Sequence, residues 1–159
     1  MAVGPDEFRQ VVGHFASGVT VVTTWDAEGR PTGLTASAFT SVSLDPPLIL
    51  VCVDHKAQSY PAMQTSGRFA VNILALGQEA LSKRFAVSGG DKFDGIAWRT
   101  GPAGLPLLSG ALSALECHTL HTYPGGDHTI FVGRVESVQA EPVEPLLYYR
   151  GKYNRLSAP

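Results

Sequence analysis

Gly33-Leu34-Thr35-Ala36-Ser37-Ala38-Phe39-Thr40-Ser41-Val42-Ser43-Leu44-Asp45-Pro46-Pro47 decides the reading of this chain. It alternates as a strand does, yet small and hydroxyl residues stand where an ordinary core strand carries bulk. Short side chains let a backbone approach a flat ligand, and hydroxyls offer donors without charge. In a continuous strand over Pro31 to Ser43, residues 35, 37, 39 and 41 share one face and 36, 38 and 40 the other. A Ser/Thr-rich edge strand in water has the same composition, since threonine is a good strand former.

The next apolar run, Leu48 to Val53, reads as a fully buried strand after the break at Asp45-Pro46-Pro47. It leads into Asp54-His55-Lys56-Ala57-Gln58-Ser59. Ser59 reads as the N-cap of a short helix with Pro61 in its first turn. Free N–H groups at a helix start, its dipole and a nearby lysine together suit a phosphate. An exposed Lys56 and a routine cap is the plainer account of the same residues. Taken with the small-residue strand, a ring-sized gap beside an anion site outlines a pocket for flavin mononucleotide.

The chain has 159 residues, enough for one domain spanning 1–159 with a substantial core. Hydrophobic residues make up 44% and charged ones 16%, a globular balance. With 12 basic and 14 acidic residues the net charge is −2, which draws it neither to nucleic acid nor to an anionic membrane. No apolar stretch reaches membrane-spanning length, and the first residues lack a signal peptide pattern, so the expected location is the cytoplasm. Cys52 and Cys117 sit in apolar runs and read as small buried hydrophobes.

Along the chain, Phe8, Val11, Val12 and Phe15 fall at helical spacing after Pro5, with Gly18 ending that helix. Thr20 to Trp25 is a strand, Arg68 to Leu76 another, and Glu79 to Val87 a helix. Ser88 to Leu108, rich in Gly and Pro, is a candidate binding loop. Gly110 to Tyr123 and His128 to Glu141 are long strands about a hairpin turn at Pro124-Gly125-Gly126-Asp127. About six strands with few helices predict a closed antiparallel barrel. No Gly-x-Gly-x-x-Gly follows a strand, so a nicotinamide cofactor is not held on a Rossmann crevice.

His128 beside the hairpin could orient a cofactor amide or trade a proton near neutral pH; it could equally be a solvated turn histidine. Pairing Tyr123 with His128 puts Glu116 opposite Val135 on the apolar face, which demands either a bulge or a buried partner for Glu116. His118 and His121 point to opposite faces of a strand, so no metal site is expected. No Gly-x-Ser-x-Gly elbow exists, and Asp127 next to His128 in an extended stretch points away from it, which argues against hydrolysis.

Several segments together resemble the flavin reductase family with the FMN-binding split-barrel fold. They are Gly18 to Thr24, Gly33 to Pro47, Gly67 to Leu74, Lys83-Arg84-Phe85, Asp91-Lys92-Phe93, Gly126-Asp127-His128 and Tyr149 to Tyr153. The resemblance implies a mainly β fold, an antiparallel Greek-key split barrel of about six strands with a few flanking helices. It implies an NAD(P)H-dependent enzyme that passes hydride to FMN or FAD, and a partner monooxygenase that receives the reduced flavin. It implies that Thr35, Ala36, Ser37 and Ala38 line the ring and that Cys52, Val53 and Asp54 border its other edge. Lys56 and Ser59 would meet the phosphate, Phe85 would flank the nucleotide, and Tyr153 would stand near the site. His128 would be the catalytic contact to nicotinamide or flavin. Ala36 and Ala38 stand where relatives often carry a hydroxyl, which suits weak flavin binding. No basic cluster selects a 2′-phosphate, so NADH is mildly preferred to NADPH. Flavin carries the redox chemistry, and the protein need only stack the nicotinamide against it. A homodimer with its groove at the subunit interface is implied as well. A non-catalytic flavin-binding protein, and another FMN-dependent oxidoreductase on the same barrel, remain open alternatives.

Overall fold

The computed structural model describes residues 2–157. In chain order the elements begin with α1 (Pro5–Val12), β1 (Ser17–Gly18), β2 (Thr20–Trp25), β3 (Pro31–Ala36), β4 (Phe39–Leu44) and β5 (Pro47–Asp54). Then come α2 (Tyr60–Ser66), β6 (Arg68–Ile73), α3 (Glu79–Ala86), β7 (Trp98–Thr100) and β8 (Pro106–Leu108). The last are β9 (Ser113–Gly125), β10 (His128–Ala140), β11 (Leu147–Tyr149) and β12 (Lys152–Asn154). Seven strands make one antiparallel sheet in the order β3-β2-β6-β9-β10-β5-β4.

The sheet has to roll up. Its two edge strands, β3 and β4, are joined by Ser37 and Ala38 alone. Three Cα steps reach about 11 Å, whereas six flat inter-strand gaps would span about 29 Å. The edges therefore meet around the joint, where the Cys52 N–H of β5 donates to Ala38 O at 3.1 Å. The mainly β, antiparallel character agrees with the sequence. The strand count is corrected from six to seven: the expected single strand over 31–43 is interrupted at Ser37-Ala38, and the sheet curls without closing its ladder. Alternation across that break does not hold, so residues 35 and 39 do not share one sheet face.

Val22, Leu34, Ala36, Ile49, Val51, Val53, Phe69, Val71, Cys117 and Phe131 fill the interior of the roll, with Met63 of α2 among them. Outside it, Val19, Val21, Leu74, Phe85, Phe93, Leu108 and Leu146 form a second core under α3. Thus β2 is buried on both faces, which its run of β-branched residues suits. Its threonines find partners: Thr23 Oγ1 donates to Pro106 O at 2.5 Å, and Thr24 Oγ1 to Arg68 O at 2.7 Å. By contrast β5 alternates strictly, with Ile49, Val51 and Val53 inward and Leu50, Cys52 and Asp54 outward.

The hairpin register differs from the expected one. His128 pairs with Gly125 and Ile130 with Tyr123, because Gly126 and Asp127 form a two-residue turn. Two irregularities follow, between Val132 and Gly133 and between Val135 and Ser137. Glu116 consequently faces Ser137, and it also has buried partners: its carboxylate accepts the N–H groups of Ala103 at 3.1 Å and Leu105 at 3.0 Å. Both resolutions of the Glu116 conflict are realised. Helix α1 ends at Val12, capped by Gly13 rather than Gly18, and its Phe8, Val11 and Val12 lie exposed. Among the described helices none is long and apolar enough to cross a membrane.

Gly133 lets β10 cross the core closely. A Cβ there would stand 2.7 Å from Phe69 Cζ and 2.8 Å from Cys117 Cβ. Gly133→Ala should therefore cost about 1–3 kcal/mol of stability by overpacking. Thermal unfolding checks this, and an unchanged midpoint would contradict it.

Candidate active site

The outward residues of β5 and β10 form a strip beside the Ser37-Ala38 joint. Cys52 lies opposite Ile130 and Asp54 opposite His128. Ser37 and Ala38 are exposed, and their short side chains leave the backbone accessible. An open, mostly apolar groove of about 450 Å³ runs past them, lined also by Phe15, Thr40, Leu50 and Tyr148. Burial pushes the Cys52 thiol pKa up, so it stays protonated and is a poor nucleophile. Cys117, in the core, is pushed up to about 12 by burial and by the Glu136 and Glu116 carboxylates.

At the end of β5 the chain turns sharply. Asp54 Oδ1 accepts the Lys56 N–H at 2.8 Å, and Asp54 O accepts the Ala57 N–H at 3.0 Å. This turn exposes the Lys56 side chain and buries Ser59, which is 1% exposed at the start of α2. Ser59 makes no capping hydrogen bond: its Oγ is buried without a partner. Such a group costs about 1–3 kcal/mol unless something satisfies it. This hydroxyl and Lys56 share the turn that follows β5, the strand whose outward residues flank the small-residue joint, a donor set that suits the phosphate of a flavin.

His128 is half-buried at the first position of β10. Contrary to the sequence expectation, Asp127 does not point away from it. Asp127 sits in the turn rather than in a strand, and its side chain folds back so that Oδ1 accepts the His128 Nδ1–H at 2.7 Å. That hydrogen bond holds the Asp127 carboxyl below the usual range. The ring is thereby oriented with Nε2 as its other nitrogen.

Other expected positions act differently. Thr35 Oγ1 is spent inside the protein, donating to Ser82 O at 2.6 Å. Ser82 Oγ in turn bonds the Tyr153 hydroxyl at 2.8 Å, which brings Tyr153 to the Thr35 side of the joint. Ala36 and Val53 point into the interior core, so they can offer a ligand only backbone. Phe85 is 1% exposed and packs on Phe93 with ring centroids 5.1 Å apart. Its ring does not flank an open nucleotide site, because α3 lies on the sheet and turns this position into the second core.

Sequence reading missed a polar cluster that ties the turn after β5 to the hairpin. The Tyr60 hydroxyl and His55 Nε2 both meet Thr129 Oγ1, at 2.8 and 3.1 Å, and the His55 N–H donates to Asp127 O at 3.0 Å. Only the pairing of β5 with β10 brings these residues together. Lys92 was also unassigned: half-buried, it donates from Nζ to Gly33 O at 3.3 Å and Phe85 O at 3.2 Å. Burial lowers its pKa. Among the described residues no group of three or more His, Cys, Asp or Glu side chains could hold a metal ion.

Comparison with known proteins matches this architecture to a family described as "Flavin reductase like domain" over residues 12–157. The chain is 42% identical over 153 residues to the reductase subunit HsaB of a flavin-dependent monooxygenase from Rhodococcus jostii, covering 96% of this chain and 78% of that one. It is 42% identical over 158 residues to an NADH-dependent flavin reductase from a Rhodococcus species, covering 97% and 88%. Among solved structures, the Streptomyces globisporus NADH:FAD oxidoreductase SgcE6, in complex with NAD and FAD fragments, superposes with a TM-score of 0.91 at 41% identity, covering 99% and 97%. A rolled antiparallel sheet, a small-residue joint and an unsatisfied buried serine thus coincide with these likenesses along nearly the whole chain, which belongs to the flavin reductase family.

Proposed function

We propose that this protein is an NAD(P)H-dependent flavin reductase, with NADH the favoured donor, that reduces FMN or FAD and supplies the product to a partner monooxygenase. The observation that carries the reading is the exposed Ser37-Ala38 joint on an open groove, with the buried, unpartnered Ser59 Oγ in the turn that leads from β5 through Lys56 to α2. When bound, flavin supplies the redox chemistry, accepting a hydride from the reduced nicotinamide. The chain's own part is positioning. Lys56 and Ser59 hold the phosphate, while Ser37, Ala38 and the outward edge of Cys52 and Asp54 give a flat ring a close approach to backbone. His128, oriented by Asp127, contacts the ring or the nicotinamide amide from the hairpin side. With few polar side chains on the apolar groove, release of reduced flavin is easy, as a supplier of a second enzyme requires.

The rolled sheet is read here as the split barrel of the family, one domain over the whole chain. Exposed apolar residues support a second copy packing here: Phe15 is 83% and Leu44 95% exposed, and Phe15 lines the groove itself. A dimer covering that face would wall the groove. Two free cysteines suit a reducing cytoplasm.

NADH oxidation, followed by absorbance, should be negligible without flavin and saturate as FMN or FAD is added. No flavin-dependent oxidation, in air or under low oxygen, would contradict the reading. His128→Ala should lower kcat/KM for NADH by about tenfold to a hundredfold while the FMN Kd stays within about twofold. An unchanged kcat/KM would remove His128 from the site. Ser59→Ala should weaken FMN by about tenfold, leave phosphate-free riboflavin unaffected, and raise the melting temperature of the ligand-free protein. Equal losses for FMN and riboflavin would place the phosphate elsewhere.

A further inference from the structure

Successive residues of a strand face opposite sides, so whatever fixes one side chain of β10 also sets the backbone that aims its neighbours. His128 and Ile130 lie opposite Asp54 and Cys52, on the outward strip. Thr129 lies opposite Val53 and Phe131 opposite Val51, on the side that encloses the core. An apolar side chain at 129 would continue the packing of Val53 and Phe131. A hydroxyl stands there instead, and two side chains from outside the sheet converge on it.

One is Tyr60, the first residue of α2, whose hydroxyl lies 2.8 Å from Thr129 Oγ1. Its ring is braced edge-on to the Phe131 ring, with centroids 6.5 Å apart and planes at 75°. The other is His55, whose Nε2 lies 3.1 Å from the same oxygen and whose ring leans on Tyr60 with centroids 4.9 Å apart. A hydroxyl, with one donor and two acceptor positions, serves both partners at once. The His55 N–H also donates to Asp127 O at 3.0 Å, and Asp127 Oδ1 accepts the His128 Nδ1–H at 2.7 Å. Residues 127 and 129 are thus each tied to the segment that leads from β5 into α2, and His128 between them is aimed from both sides.

We infer that Thr129 is a positioning residue: its hydroxyl, held by Tyr60 and His55, sets the backbone of β10 so that the His128 ring stands on the outward strip beside Asp54. Thr129 lies on the opposite face of the strand from His128, so it acts through that residue and not on a ligand. The inference rests on the reading of His128 given above. A hydroxyl that served only the turn after β5 would act through Lys56 and Ser59 and show itself in flavin affinity. One that aims His128 acts on the nicotinamide step and leaves flavin affinity alone.

A double-mutant cycle tests this, with kcat/KM for NADH at saturating FMN and the FMN Kd from flavin fluorescence measured for each protein. Thr129→Val keeps the shape and removes the hydroxyl. It should lower kcat/KM for NADH by about tenfold and leave the FMN Kd within about twofold. Thr129→Ser keeps the oxygen and should recover most of that loss. On the His128→Ala background, Thr129→Val should change kcat/KM by less than about twofold, since no ring remains to aim. Should Thr129→Val not fold, Tyr60→Phe deletes a single hydroxyl from a packed ring and runs the same cycle, with an expected loss of about threefold. An unchanged kcat/KM, the same factor lost with and without His128, or a rise in FMN Kd that matches the loss in kcat/KM overturns the inference alone. A His128→Ala protein as active as the wild type overturns the reading of His128, and the inference with it.

Discussion

Two residues have to connect the opposite edges of a seven-stranded sheet, and the rest of the structure follows from that constraint. Ser37 and Ala38 are too short a link for a flat sheet, so the sheet rolls until β3 stands beside β5. Rolling creates an interior that Val22, Val51, Phe69 and Phe131 fill, and an exterior with β5 and β10 outermost at the joint. Ala38 O accepts the Cys52 N–H at the joint, and the short, exposed side chains of Ser37 and Ala38 leave the backbone there accessible. The joint that bends the sheet thus also borders the open groove on its surface.

The polar groups inside the fold show what is unusual about the site. Asn72 uses both ends of its amide, on Val21 O at 3.0 Å, Thr23 Oγ1 at 3.1 Å and the Leu108 N–H at 2.9 Å. Glu116 and the threonines of β2 are satisfied in the same way. Among the described residues two buried hydroxyls are not, Ser59 Oγ and Thr119 Oγ1, and Ser59, 1% exposed, is the one in the turn that carries Lys56. A buried donor without a partner in its own chain is a place where a bound group would gain a hydrogen bond. The His55–Tyr60–Thr129 cluster then fixes this turn against the hairpin that presents His128.

Much of this was legible in the sequence. The β-branched run of β2 and the Gly-Asp turn before His128 announce themselves through local chemistry, whereas Leu48 to Val53, expected as a fully buried strand, buries one face and leaves the other partly open. The break at Ser37-Ala38 did not, because it contains no glycine or proline and the small-residue alternation runs straight through it. The hairpin register depended on which residues form the tight turn, and a two-residue shift leaves the side chains next to the turn on their expected faces, so periodicity alone does not detect it. Phe85 and Thr35 were misread for one reason: α3 lies against the sheet and converts positions that look ligand-facing into core and internal hydrogen bonds. Lys92 stands in a segment that carries the family resemblance, but its contacts with Gly33 O and Phe85 O come from a loop that only the fold brings against the sheet.

A crystal structure grown with FMN tests the central claim most directly. The account predicts a phosphate oxygen within about 3 Å of Ser59 Oγ, with the ring lying over Ser37-Ala38 beside Cys52. Flavin bound elsewhere while Ser59 Oγ stays unpartnered, or the groove filled in every copy by the protein's own side chains, would contradict it.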